Sequence, residues 1–230
     1  MKAIWCVTAA GLLLAASSAQ AAITNSEQER VQKAAEVAMA MRDAPDKGIP
    51  EELWSKANCV IVLPGVKKAA FGIGGEFGKG VMSCRTANSW SAPVFMEMAK
   101  GSFGFQIGAQ EADLVLLVMN KNGIDKMLND KVTLGADASV AAGPVGRTGV
   151  AATDARFNAQ ILSYSRARGL FAGIDVSGGV LRPDKDANAD VYGTTTAHDV
   201  VLGGSVPVPT PVRAFVNALG SNVRATTGQR

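Results

Sequence analysis

The chain has 230 residues, 47% of them apolar, with 23 Lys and Arg against 20 Asp and Glu and a formal charge of +3. That length suits one domain with a substantial core. The near balance of charge gives no case for nucleic acid, whose binding normally needs a concentrated basic face.

Lys2 is followed by an uncharged stretch with the apolar run Ala9-Ala10-Gly11-Leu12-Leu13-Leu14-Ala15-Ala16, and this ends in Ala19-Gln20-Ala21. The run is too short for a permanent membrane span, and the small-x-small ending is the pattern a signal peptidase reads. Residues 1-21 are therefore expected to be a cleaved signal peptide, and 22-230 a single domain. Cys6 lies near the start of the run, so the product is expected to be free rather than a lipoprotein.

Ser26-x-x-Glu29 has the form of a capping box, and Val31, Ala34, Ala35, Ala38 and Met41 follow at helical spacing. This predicts an N-terminal amphipathic helix whose small, alanine-rich face packs on the domain. A short second helix is expected from Pro50 through Trp54, with Glu51 and Glu52 in its first turn.

From Cys59 the texture changes to short apolar runs broken by glycine. Cys59 to Leu63, Val94 to Met98 and Leu114 to Met119 read as strands. Thr133 to Ala142 and Ile161 to Leu181 have the same texture. Short helices are expected at Gly123 to Asp130 and Pro211 to Leu219. The fold class is α+β: a single glycine-rich, mainly antiparallel β domain with an N-terminal helix and a short C-terminal helix.

Cys59 and Cys84 remain after the leader, and an even count in an oxidising compartment favours a disulfide over two buried thiols. Two cysteines and one histidine do not complete a zinc site without carboxylates, so no metal and no cofactor are expected. The Gly72 to Gly80 segment misses the dinucleotide spacing, because the third glycine would fall on Phe77; Gly143 to Gly149 lacks the Gly-Lys-Ser/Thr ending of a phosphate loop. Turns, bulges or close strand contacts account for both. The Asp184 to Asp190 segment matches a calcium loop only in its first residues. His198 beside Asp199 has no nucleophile that stands out among the many Ser and Thr residues, so no catalytic residue is assigned.

Basic side chains beside apolar ones can hold an anionic headgroup while the apolar groups meet acyl chains. Lys67, Lys68, Lys79, Arg166 and Arg168 are the candidates here. Arg166 and Arg168, two apart in an expected strand, should share a face, with Leu170 and Phe171 following. Read as ordinary solvated charge, the same lysines would protect strand edges.

Five segments in series carry a resemblance: Ile61-Val-Leu-Pro-Gly-Val-Lys-Lys68, the Gly72 to Val81 pattern, Trp90 to Phe95, Leu134 to Arg147, and Tyr164 to Gly173. Together they resemble the SYLF domain, also known as the Las17-binding protein actin regulator family. The resemblance covers about Ala34 to Leu219 and implies a non-enzymatic, lipid-binding module. With a signal peptide, the lipid is expected to be an anionic phospholipid of the cell envelope, and the location periplasmic or secreted, peripheral to a membrane. The alternative is a structural or interaction protein of the periplasm that binds a protein partner through its glycine-rich β edges.

Overall fold

The computed structural model describes residues 23–44, 48–87, 89–121, 123–146 and 159–220. The expected signal peptide, its cleavage site before Ala22, and Arg147 to Gly149 of the second glycine-rich segment lie outside the described residues.

Two strands dominate. β1 (Cys59–Cys84) and β2 (Val94–Val118) pair antiparallel from Cys59 opposite Val118 to Met82 opposite Val94, with irregularities between Leu63 and Val66 and between Ala70 and Gly72. β1 runs out and doubles back on itself, so its first and last residues are joined by the Cys59–Cys84 disulfide. Glycines permit that approach. A Cβ at Gly80 would land on the carbonyl oxygen of Val62, and one at Gly78 on the Val66 side chain. The segment is thus strand interior in close contact with strand, as one of the readings of the glycine pattern expected.

Short strands complete the sheet: β3 (Val132–Thr133), β4 (Val140–Ala142), β5 (Ile161–Ala167), β6 (Leu170–Gly173) and β7 (Val180–Pro183). β7 pairs with the first part of β2, β5 with its last part, and β6 with β5. The described pairings are antiparallel except β4 with β5.

Side chains alternate between two cores. Val60, Val62, Val115 and Leu117 face α1 (Asn25–Arg42), α2 (Glu51–Lys56) and the C-terminal helix; Ile61, Leu63, Leu114 and Leu116 face α3 (Ile124–Asn129) and the helix that carries Val200 and Val201. Burial on both faces is why these strands read as unbroken apolar runs.

The predicted inward faces of α1 and α3 are buried. The capping box of α1, however, is Thr24 with Glu27, not Ser26 with Glu29: Thr24 N–H donates to Glu27 Oε2 at 2.8 Å, while Glu29 pairs with Lys33 at 2.8 Å. Two helices were not expected, α4 (Lys185–Tyr192), capped by Asp184, and α5 (Ala197–Leu202), capped by Thr196. Asp184 is therefore a helix cap where the sequence suggested the start of a calcium-like loop. The last helix, α6 (Arg213–Leu219), has its terminal carbonyls bonded by Arg42 Nη1 on Ala218 O at 2.7 Å and by Trp54 Nε1 on Leu219 O at 3.4 Å.

Candidate functional site

A groove of about 290 Å³ lies between the first half of α1 and β1. α1 contributes Arg30 and Lys33, and β1 contributes the Pro64-Gly65 bend, Lys67, Phe77 and Lys79. Alternation along β1 puts Lys67, Phe77 and Lys79 on this side and Lys68 on the other. Lys68 instead pairs with Glu76 at 2.9 Å, bridging the outgoing and returning arms of β1.

Most of the cations in the groove have a counter-ion. Asp184, only 5% exposed, accepts from Arg30 Nη1 and Lys79 Nζ, each at 2.9 Å. Burial pushes the Asp184 pKa up, but the hydrogen bonds from Lys79 and Arg30 outweigh it and hold the carboxyl below its ordinary range. The Arg30 guanidinium also lies 5.4 Å from the centroid of the Phe95 ring. Lys33 pairs with Glu29, and their hydrogen bond lowers the Glu29 pKa and raises that of Lys33. Lys67 is exposed, stands opposite Glu111 in the ladder, and makes no ion pair among the described residues. Beside it in the groove, the Phe77 ring is 50% exposed. Arg30, Lys33 and Phe77 were not singled out from sequence. Arg30 and Lys33 sit three apart on the predicted helix and so share a face, which was legible, but the strand beneath that face was not.

The two arginines part company. Arg166 bonds Asp113 Oδ2 through Nε at 2.9 Å and Nη2 at 2.7 Å, while Gly65 N–H donates to Asp113 Oδ1 at 2.9 Å. It braces the Pro64-Gly65 bend from beneath. Arg168 lies in the turn between β5 and β6 with φ +50°, followed by Gly169 at +78°. The strand ends at Ala167, so the expected shared face of Arg166 and Arg168 does not form. Leu170 is 71% exposed beside that turn, whereas Phe171 is half-buried and packs against the α1-side core.

His198, in the first turn of α5, is a surface residue 3.3 Å from Asp125 and 3.5 Å from Asp199. Thr196 Oγ1, the nearby hydroxyl, donates to Asp199 at 2.7 Å and caps the helix. Among the described residues, no three His, Cys, Asp or Glu side chains gather as a metal site, and no helix is long and apolar enough to cross a membrane. A larger groove of about 710 Å³ is lined by Asn58, Arg85, Lys121 and Leu202. Its Arg85 donates to the carbonyls of Ala57 and Trp54 at 2.8 and 3.0 Å and lies 4.2 Å from the Trp90 ring centroid, holding the end of α2.

Comparison with known proteins gives this architecture a family. The family profile of the Las17-binding protein actin regulators matches residues 99–222. LAS seventeen-binding protein 3 of Saccharomyces cerevisiae is 31% identical over 192 residues, 80% of this chain and 42% of that protein. SH3 domain-containing YSC84-like protein 1 of Mus musculus is 33% identical over 193 residues, 82% of this chain and 56% of that protein. The human protein of the same name is 32% identical over 176 residues, covering 75% and 50% respectively. The chain spans about half the length of these relatives. It belongs to the Ysc84, or SYLF-domain, family of Las17-binding protein actin regulators.

Proposed function

We propose that this protein is a non-enzymatic binder of anionic phospholipid, exported after loss of residues 1-21 and acting at the surface of an envelope membrane. The observation that carries this reading is Lys67, a cation without an ion pair among the described residues, beside the half-exposed Phe77 in a groove. An anionic headgroup meets Lys67, and Phe77 meets the first acyl carbons. Lys79, Arg30 and Lys33 add field but arrive partly neutralised by Asp184 and Glu29. A protein partner at the glycine-rich β edges is the competing reading, favoured by relatives that are named for a protein they bind.

Flotation of the exported protein with anionic and with zwitterionic phospholipid vesicles, at low and high salt, separates the two. Binding to anionic vesicles that weakens as salt screens it supports the lipid reading. Protein that ignores both kinds of vesicle sinks it in favour of the partner.

A further inference from the structure

We infer that the larger groove, beside the Cys59–Cys84 bond, is a second binding site, one for a phosphate monoester of small-molecule size. Its walls come from separate stretches of the chain. Asn58 precedes β1, Arg85 and Thr86 follow it, Lys121 follows β2, and Val201 and Leu202 close α5. Asn58 and Arg85 are the residues next to the bridged cysteines, so the disulfide ties these walls together. Arg85 N–H donates to Asn58 O at 2.7 Å, Asn58 N–H to Val118 O at 2.8 Å and Asn58 Nδ2 to Met119 O at 2.7 Å. The groove is thus built before any ligand arrives. At the usual strand rise, about 26 Å of path along β1 separates Cys59 from Lys67, so this site is distinct from the groove proposed to meet lipid and does not depend on it.

The lining sets the chemistry. Arg85 and Lys121 bring two cations to the groove, and no acid lines it. Neutral groups position the Arg85 guanidinium: the carbonyls of Ala57 and Trp54 and the ring of Trp90. Lys121 is exposed and makes no ion pair among the described residues. A carboxylate would match one of the two charges. A phosphate monoester, at about −1.5 to −2 near neutral pH, matches both, and its oxygens are strong acceptors. The α5 wall is apolar. Val201 is buried and Leu202 is 43% exposed, at the C-terminal end of the helix, where the dipole disfavours an anion. The phosphate therefore belongs with Arg85 and Lys121, and the organic group against Leu202. The volume of about 710 Å³ lies within the range of about 300–1,000 Å³ usual for small-molecule sites.

Isothermal titration calorimetry of the protein with inorganic phosphate, glycerol phosphate and soluble dihexanoyl phosphatidic acid tests the site. An ester should bind several-fold more tightly than inorganic phosphate, because only the ester has a group for the α5 wall. Tighter glycerol phosphate makes the ligand a soluble ester; tighter phosphatidic acid makes it a lipid headgroup with its first acyl carbons. Lys121→Glu should weaken the ester roughly tenfold or more, with an unchanged circular dichroism spectrum, while Lys67→Glu should leave it unchanged. Leu202→Ala should weaken the ester and spare inorganic phosphate. Neither ester binding, or both binding no more tightly than inorganic phosphate, overturns the inference. So does ester binding that survives Lys121→Glu or is lost in Lys67→Glu, since the ligand then sits elsewhere.

Discussion

Arg166 grips one oxygen of Asp113 through two nitrogens, at 2.9 and 2.7 Å, and the other oxygen of that carboxylate takes the Gly65 N–H. A residue of β5 thus fixes the bend of β1 that leads to Lys67. Gly65 has φ +59°, a conformation that other residues adopt at a cost, so the bend needs this tether. Arg166→Met should destabilise the fold by about 1–3 kcal/mol, the range for losing charge-assisted hydrogen bonds of a partly buried group. Arg166→Lys, which keeps charge without the fork, should fall between. Arg168→Glu in the exposed turn should stay within about 0.5 kcal/mol of the parent. Urea unfolding of the three variants checks the order.

Lys67 and Lys68 are neighbours in sequence and opposites in the structure. Lys67→Glu should weaken flotation on anionic vesicles by roughly fivefold or more, since a cation near such a surface contributes about 1 kcal/mol. Lys68→Glu breaks the pair with Glu76 and should change flotation less. The difference should vanish at high salt. Equal losses from the two variants would show that the groove side of β1 is not the surface that meets lipid.

Gly80 and Gly101 separate crowding from composition. Gly80→Ala would drive a methyl into Val62 O, whereas nothing lies within 4 Å of the Cβ position at Gly101. Gly80→Ala should cost about 1–3 kcal/mol or prevent folding. Gly101→Ala should fold normally, with close to the parent's melting temperature.

What the sequence revealed depended on range. The α1 face and the paired runs at Cys59–Leu63 and Leu114–Val118 were legible because burial there follows a helical period or an unbroken apolar run. α4 was not, because it buries only Ala187 and Asn188. Its place is set instead by a tertiary clamp, in which Asn188 accepts from Phe95 N–H at 2.8 Å and donates to Phe95 O at 2.9 Å. For the site, alternation alone separates Lys67 from Lys68. The return of β1 past its own start, which sends Lys79 to Asp184 and Lys68 to Glu76, joins residues too distant for any local pattern to announce. Arg168 was misplaced because a strand was extended through Ala167-Arg168-Gly169, although Gly169 marks the two-residue turn.

The Cys59–Cys84 bond closes β1 on itself across a separation of 25 residues. Loop-closure entropy predicts that Cys59→Ser costs about 3 kcal/mol. Both sulfurs belong to buried residues, so in the folded protein reduction should be slow and should accelerate with urea. Intact-mass measurement should show two hydrogens fewer than the reduced chain; two thiols alkylated without reductant would disprove the bond.

Asp184 contributes to the acid limb of stability. Burial raises its pKa, yet the bonds from Lys79 and Arg30 leave it below the unfolded value, so the folded state favours the carboxylate. For a depressed acid the stabilisation is fully present above the unfolded pKa of about 3.9 and is lost as pH falls through the folded pKa. Stability should therefore fall below about pH 4. Asp137, held to about 2 by Lys126 and the Thr133 N–H, titrates in the same window, so the wild-type curve alone does not isolate Asp184. Asp184→Asn does. The variant should be less stable at neutral pH, because Arg30 and Lys79 lose their shared counter-ion, and its stability should change less between pH 5 and pH 2. Urea midpoints measured across that range, wild type against variant, should converge as pH falls. Parallel curves would mean that the Arg30–Asp184–Lys79 cluster does not couple to folding.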